Sequence, residues 1–93
     1  MFFAEEIISQ VWEKAFSNDG QDSTQMKKDK CGATIAKESY GKQTKLGWEI
    51  DHIHPISAGG SNHISNLQPL HWENKQNKAE GPDFPFVYCV KRT

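Results

Sequence analysis

The stretch Trp48-Glu49-Ile50-Asp51-His52-Ile53-His54-Pro55-Ile56-Ser57-Ala58-Gly59-Gly60 decides how the chain is read. Trp48 and Ile50 alternate with Glu49 and Asp51, the period of a strand with one face turned inward, so residues 46–53 read as a strand. Pro55 cannot donate to a ladder and helps end it. Ser57-Ala58-Gly59-Gly60-Ser61-Asn62 is a loop by composition. Eleven residues beyond Pro55 comes Asn66-Leu67-Gln68-Pro69-Leu70-His71-Trp72, and residues 64–70 suit a second extended piece. Residues 71–80 are good helix formers without Gly or Pro, and Gly81-Pro82 supplies a stop. The cleft between these two pieces is the expected centre of the molecule, with the rest of the chain as its support.

Upstream, Ala4, Ile7, Ile8, Val11, Trp12 and Ala15 recur at spacings of three and four, so residues 4–16 predict an amphipathic helix packed on the core. A short strand over 11–16 is the competing reading. Ser17-Asn18-Asp19-Gly20 is a turn cluster. Residues 20–30 are polar and lysine-rich and read as a surface loop. Residues 31–36 are small and partly apolar, suggesting a strand, and Ser39-Tyr40-Gly41-Lys42 reads as the turn after it. At the far end, Phe86, Val87, Tyr88, Cys89 and Val90 suggest a closing strand within 84–92. There is no internal repeat.

Ninety-three residues, 35% of them hydrophobic and 11% aromatic, describe one globular domain over residues 1–93. No run approaches the roughly 20 apolar residues that cross a bilayer. Met1-Phe2-Phe3 is soon followed by Glu5 and Glu6 and does not read as a signal peptide, so the expected location is cytoplasmic, with no membrane partner. Cys31 and Cys89 form no CxxC pair and read as reduced, partly buried thiols. The formal charge of −1 does not advertise a nucleic-acid binder. The net value hides clustering, however. Acids dominate the start, while Lys27, Lys28, Lys30, Lys37, Lys42 and Lys45, and then Lys75, Lys78, Lys91 and Arg92, allow a basic face.

Asp51 and His52 are the first residues with chemistry to offer. A carboxylate is a hard oxygen ligand suited to Mg²⁺, Mn²⁺ or Zn²⁺. An imidazole takes a proton from water near neutral pH. Neighbours on a regular strand face opposite sides, so both reach one cleft only where the strand distorts, which Pro55 and the glycine pair favour. An Asp-His dipeptide alone is weak evidence and better suits a surface acid beside a histidine packing at a strand end.

The ordered set says more. Asp51-His52-Ile53-x-Pro55-x-Ser57-x-Gly59-Gly60, then Asn66-Leu67-x-x-Leu70, then Asn74-Lys75-Gln76-Asn77-Lys78, resembles the HNH endonuclease family. The motif core covers about residues 47–80. Trp12, Lys28-Asp29-Lys30-Cys31-Gly32-Ala33 and Tyr40-Gly41 look like a small bacterial branch of that family. The resemblance implies an α+β domain of ββα-metal type: two short antiparallel strands and a helix clamping one divalent ion (Mg²⁺, Mn²⁺, Ni²⁺ or Zn²⁺). It implies that Asp51 ligates the metal and that His52 is the general base acting on water. Asn66 would tie the long loop and help orient His52. The metal would act as a Lewis acid on the phosphate. The implied activity is hydrolysis of phosphodiester bonds in nucleic acid, DNA foremost, by the domain alone, as a homodimer or within a larger nuclease complex.

One position departs from the family. The helix there normally offers an Asn or His ligand where this chain has Lys75, and an ammonium repels a cation. His71, one turn earlier on the same face, and the adjacent Asn74 are the candidate substitutes, and Glu73 reaches in if the helix starts late. Lys75 and Lys78 are candidate phosphate contacts. The alternative expectation is therefore an HNH-fold nucleic-acid-binding module with weak or lost catalysis. His54 and His63 read as loop residues, and Trp48 and Trp72 as core anchors. The cysteine pairs of zinc-bearing relatives are absent, which argues against a structural zinc.

Overall fold

In the computed structural model, residues 3–17 and 24–80 are described, and the expected closing strand and the Gly81-Pro82 stop lie outside them. The element order is α1 (Glu5–Trp12), β1 (Phe16–Ser17), β2 (Met26–Lys28), β3 (Thr34–Ala36), β4 (Trp48–His52), β5 (Leu67–His71) and α2 (Trp72–Glu80). Three short 3₁₀ turns, Lys37–Ser39, Ile56–Ala58 and Ile64–Asn66, lie in the connections. The mixed helix and strand content is α+β, as expected. No helix among the described residues is long and apolar enough to cross a membrane.

Helix α1 is shorter than the 4–16 that the apolar spacing predicts. Glu5 and Glu6 occupy its first turn, where the helix dipole favours acids. It ends because Lys14 N donates to Val11 O and Ala15 N to Trp12 O, both at 3.0 Å. These i→i+3 bonds tighten the last turn before Phe16 and Ser17 pair with Lys28 and Lys27.

The lysine-rich segment expected to be a loop contains β2, the middle strand of an antiparallel sheet ordered β1-β2-β3. Burial of Lys27, 8% exposed, explains the difference. Its ammonium lies 6.0 Å from the centroid of the Trp12 ring and 3.8 Å from Glu13 Oε1. The stem covers apolar surface while the charge keeps a partner, so a lysine serves as an inward-facing strand residue. Cys31 is disulfide-bonded, a correction to the reduced thiol expected there. Cys89 lies outside the described residues, and the pairing of cysteines cannot be deduced from sequence alone.

The second sheet is β4 against β5, antiparallel, with Trp48 opposite His71, Ile50 opposite Pro69, Asp51 opposite Gln68 and His52 opposite Leu67. Helix α2 follows directly and packs on both strands. The core gathers Val11, Trp12 and Ala15 from the α1 side with Ile35, Trp48, Ile50 and Leu67. The Trp12 and Trp48 rings sit 5.3 Å apart, and Tyr40 meets Trp48 edge-on at 5.0 Å. Lys14, just past α1, donates through its Nζ to the carbonyls of Ile64 and Leu67, fastening the helix to the start of β5.

Candidate active site

The long connection from β4 to β5 is held by one side chain. Asn66 Oδ1 accepts from His54 N at 2.7 Å, and its Nδ2 donates to His54 O at 3.0 Å and Ser61 O at 2.7 Å. The backbone repeats the tie, since Ile53 N donates to Asn66 O at 2.8 Å. Gly60 lets the loop close: a Cβ there would stand 1.8 Å from His54 O. His54 Nε2 meets Ala58 O at 2.9 Å, and His63 Nδ1 accepts from Ser65 N at 3.2 Å. Both histidines are loop-building residues in this arrangement.

The closed loop brings Asn62 to His52. Asn62 Oδ1 lies 2.6 Å from His52 Nε2. With an amide oxygen as acceptor, Nε2 carries the proton and Nδ1 carries the lone pair. Nδ1 has no hydrogen-bond partner among the described residues. Phe3 lies on the same imidazole, with ring centroids 6.1 Å apart. Asn66 therefore ties the loop, while the side chain that orients the ring is Asn62, which the sequence reading passed over. Its signal was only its place, between the glycine pair and Asn66.

Asp51 faces elsewhere. Strand β4 stays in register through His52, so the two side chains alternate across the sheet and the expected distortion at this point is absent. Asp51 is 6% exposed. Its Oδ2 accepts from Gln68 Nε2 at 2.8 Å, its partner across the strand pair. The Nζ of Lys78, from α2, lies 3.0 Å from Oδ2 and 3.2 Å from Oδ1. The same ammonium donates to His52 O at 2.7 Å. Lys78 thus joins the two motif residues, one through its carboxylate and the other through its carbonyl.

His71 and Asn74 belong to a second cluster. Both are fully buried. His71 Nδ1 accepts from Glu73 N at 3.1 Å, and Nε2 lies 2.7 Å from Lys45 O, to which it donates. Both ring nitrogens are spoken for, so His71 has no lone pair to give a metal in this arrangement. Asn74 Nδ2 donates to Asp29 Oδ2 at 2.9 Å, and His71 N donates to the same oxygen at 3.0 Å. Asp29 Oδ1 takes Cys31 N at 3.0 Å and Ala33 N at 2.9 Å. Asp29, 2% exposed, is therefore the point where the β2–β3 turn is bolted to the start of α2. Of the substitutes proposed from the sequence, Asn74 turns its side chain to Asp29, and His71 turns its ring to Lys45 O. In the sequence Asp29 stands only within the Lys28–Ala33 run of the family resemblance, with no role of its own.

Lys75 is half-buried and makes no hydrogen bond or ion pair among the described residues. It lies three positions before Lys78, on the same side of α2. Trp72 donates from Nε1 to Thr44 O at 2.6 Å, and Trp48 is fully buried, so both anchor structure.

These donors do not fit a divalent ion as arranged. Among the described residues no group of three or more His, Cys, Asp and Glu side chains could hold one. Asp51 is a single carboxylate with an ammonium already on both oxygens.

No curated protein and no solved structure matches the chain. The family model described as HNH endonuclease matches residues 29–79. That span begins at Asp29, takes in β3, β4, the Asn66-tied loop and β5, and runs through most of α2. It covers more than half of the chain, which therefore belongs to the HNH endonuclease family.

Proposed function

We propose that this chain is a single HNH domain that hydrolyses phosphodiester bonds in nucleic acid, with DNA as the substrate and His52 as the general base. The observation that carries this reading is the His52 imidazole, held at Nε2 by Asn62 with Nδ1 left open. Nδ1 takes a proton from water, the resulting hydroxide attacks phosphorus, and the P–O bond to the leaving oxygen breaks. That oxygen leaves with a proton from solvent. Asn66 acts at one remove, by fixing the loop that carries Asn62. The succession of β4, β5 and α2 supports the ββα-metal arrangement. Lys75, exposed enough to meet a phosphate and uncommitted among the described residues, is the proposed nucleic-acid contact on α2. Domains of this family typically use a divalent metal. In this chain that use demands a change at Asp51.

The same pair, Lys78 on Asp51, favours a second reading: a nucleic-acid-binding HNH module with weak or lost hydrolysis. A plasmid cleavage assay run beside a DNA-binding assay, with Mg²⁺, Mn²⁺ or Ni²⁺ supplied and with chelator, separates the two. Nicking that disappears in His52→Ala supports the nuclease. Retained binding without nicking supports the module.

A further inference from the structure

We propose that the ammonium of Lys78 is the resident cation of the Asp51 site, and that a divalent ion binds Asp51 only by displacing it. The inference takes the divalent ion from the nuclease reading, but it concerns ion binding and is tested apart from cleavage.

The geometry is that of a coordinated cation. An ammonium has three protons. Lys78 Nζ donates to Asp51 Oδ1 at 3.2 Å and to His52 O at 2.7 Å, and lies 3.0 Å from Asp51 Oδ2 as an ion pair. Gln68 Nε2 closes the other side of Oδ2 at 2.8 Å, so the carboxylate is ringed by donors. The pair is withdrawn from water, with side-chain exposures of 12% for Lys78 and 8% for Asp51. Removing the ammonium would leave a buried carboxylate with one neutral amide as its partner, which is costly unless another cation arrives. Conversely, a divalent ion cannot settle on the carboxylate while a positive charge stands within hydrogen-bond distance of it.

The helix fixes this choice. Asn74, one turn ahead of Lys78, is fastened to Asp29, which pins the start of α2 and its azimuth against β4. Lys78 then projects onto Asp51. Lys75 adds a second positive charge on the same side of the helix, where the family resemblance places a neutral ligand. Ion and lysine therefore compete for one carboxylate, and their affinities are linked.

The test is Mn²⁺ binding to chelator-treated protein, read from the electron paramagnetic resonance signal of free Mn²⁺. Lys78→Met keeps most of the stem and loses the charge. We expect it to bind Mn²⁺ at least about tenfold more tightly than the wild type, and Asp51→Asn in that background to abolish the gain. Equal binding by wild type and Lys78→Met, or a gain that survives Asp51→Asn, overturns the proposal. If Lys78→Met does not fold, Lys78→Gln, which loses the charge and keeps a polar end, takes its place, with Mn²⁺ binding read from the rise in melting temperature, because any ion bound to the native state raises it. A rise no larger than the wild type's, or one that Asp51→Asn leaves in place, overturns the proposal. Neither readout depends on whether DNA is cut.

Discussion

His52 Nε2 and Asn62 Oδ1 lie 2.6 Å apart, across the turn that Asn66 holds shut. An imidazole held at one nitrogen presents the other in a fixed tautomer and direction. Asn62→Ala leaves the base in place but frees the ring. We expect its cleavage rate to fall on the order of tenfold, less than the loss on removing His52 itself. Asn62→Asp, which keeps an acceptor oxygen, restores most of the rate. Steady-state plasmid nicking checks both, and an Asn62→Ala enzyme at wild-type rate would show that the contact is incidental.

Asp29 receives four donors, two from the turn beside it and two from residues 71 and 74. Asp29→Ala removes this acceptor from all four, and each buried group left unsatisfied costs about 1–3 kcal/mol. We expect a loss of roughly 3 kcal/mol or more. In a domain of this size that lowers the melting temperature by on the order of 10 °C or more. Calorimetry of the variant checks this, and a shift of only a degree or two would contradict the role assigned to Asp29.

The centre of the fold was legible because its signals are local. Trp48 and Ile50 alternate with Glu49 and Asp51, and Pro55 and the glycine pair mark where the strand must end. Strand β4 accordingly falls inside the predicted 46–53, and α2 begins one residue after the predicted helix start. What escaped depends on tertiary partners. Lys27 reads as solvent-facing until Trp12 is beneath it. Asp29 meets backbone and side-chain donors 42 and 45 residues away. Asn62 reaches His52 only once Asn66 and Gly60 have shaped the loop. Lys78 reads as a phosphate contact because spacing alone does not say that α2 aims it at Asp51. The motif points to residues with chemistry to offer, and the contacts between elements decide how each is held.

Tyr40 packs against Trp48, and burial, reinforced by the negative charge of Glu49, raises its hydroxyl above the ordinary 10.0. Below that pH the phenol is protonated in folded and unfolded chains alike, and stability is unaffected. Above it the unfolded chain gives up the proton first, so stability falls as pH rises through the folded value. We expect thermal unfolding measured across this alkaline window to show a decline that is shallower in Tyr40→Phe. Identical slopes for the two proteins would contradict the shift.

Lys75 is the phosphate contact proposed on α2. Lys75→Ala should weaken DNA binding similarly for all sequences and reduce the salt dependence of the affinity by about one ion. Titrations at several salt concentrations check this, and an unchanged slope would remove Lys75 from the interface.

The central claim is that His52 takes the proton from the attacking water. The most direct measurement compares initial nicking rates of supercoiled plasmid by the wild type and by a folded His52→Ala variant that binds DNA equally well. The account predicts a loss on the order of 10²–10⁴-fold, the contribution of a general base. Nicking at the wild-type rate in His52→Ala would contradict it.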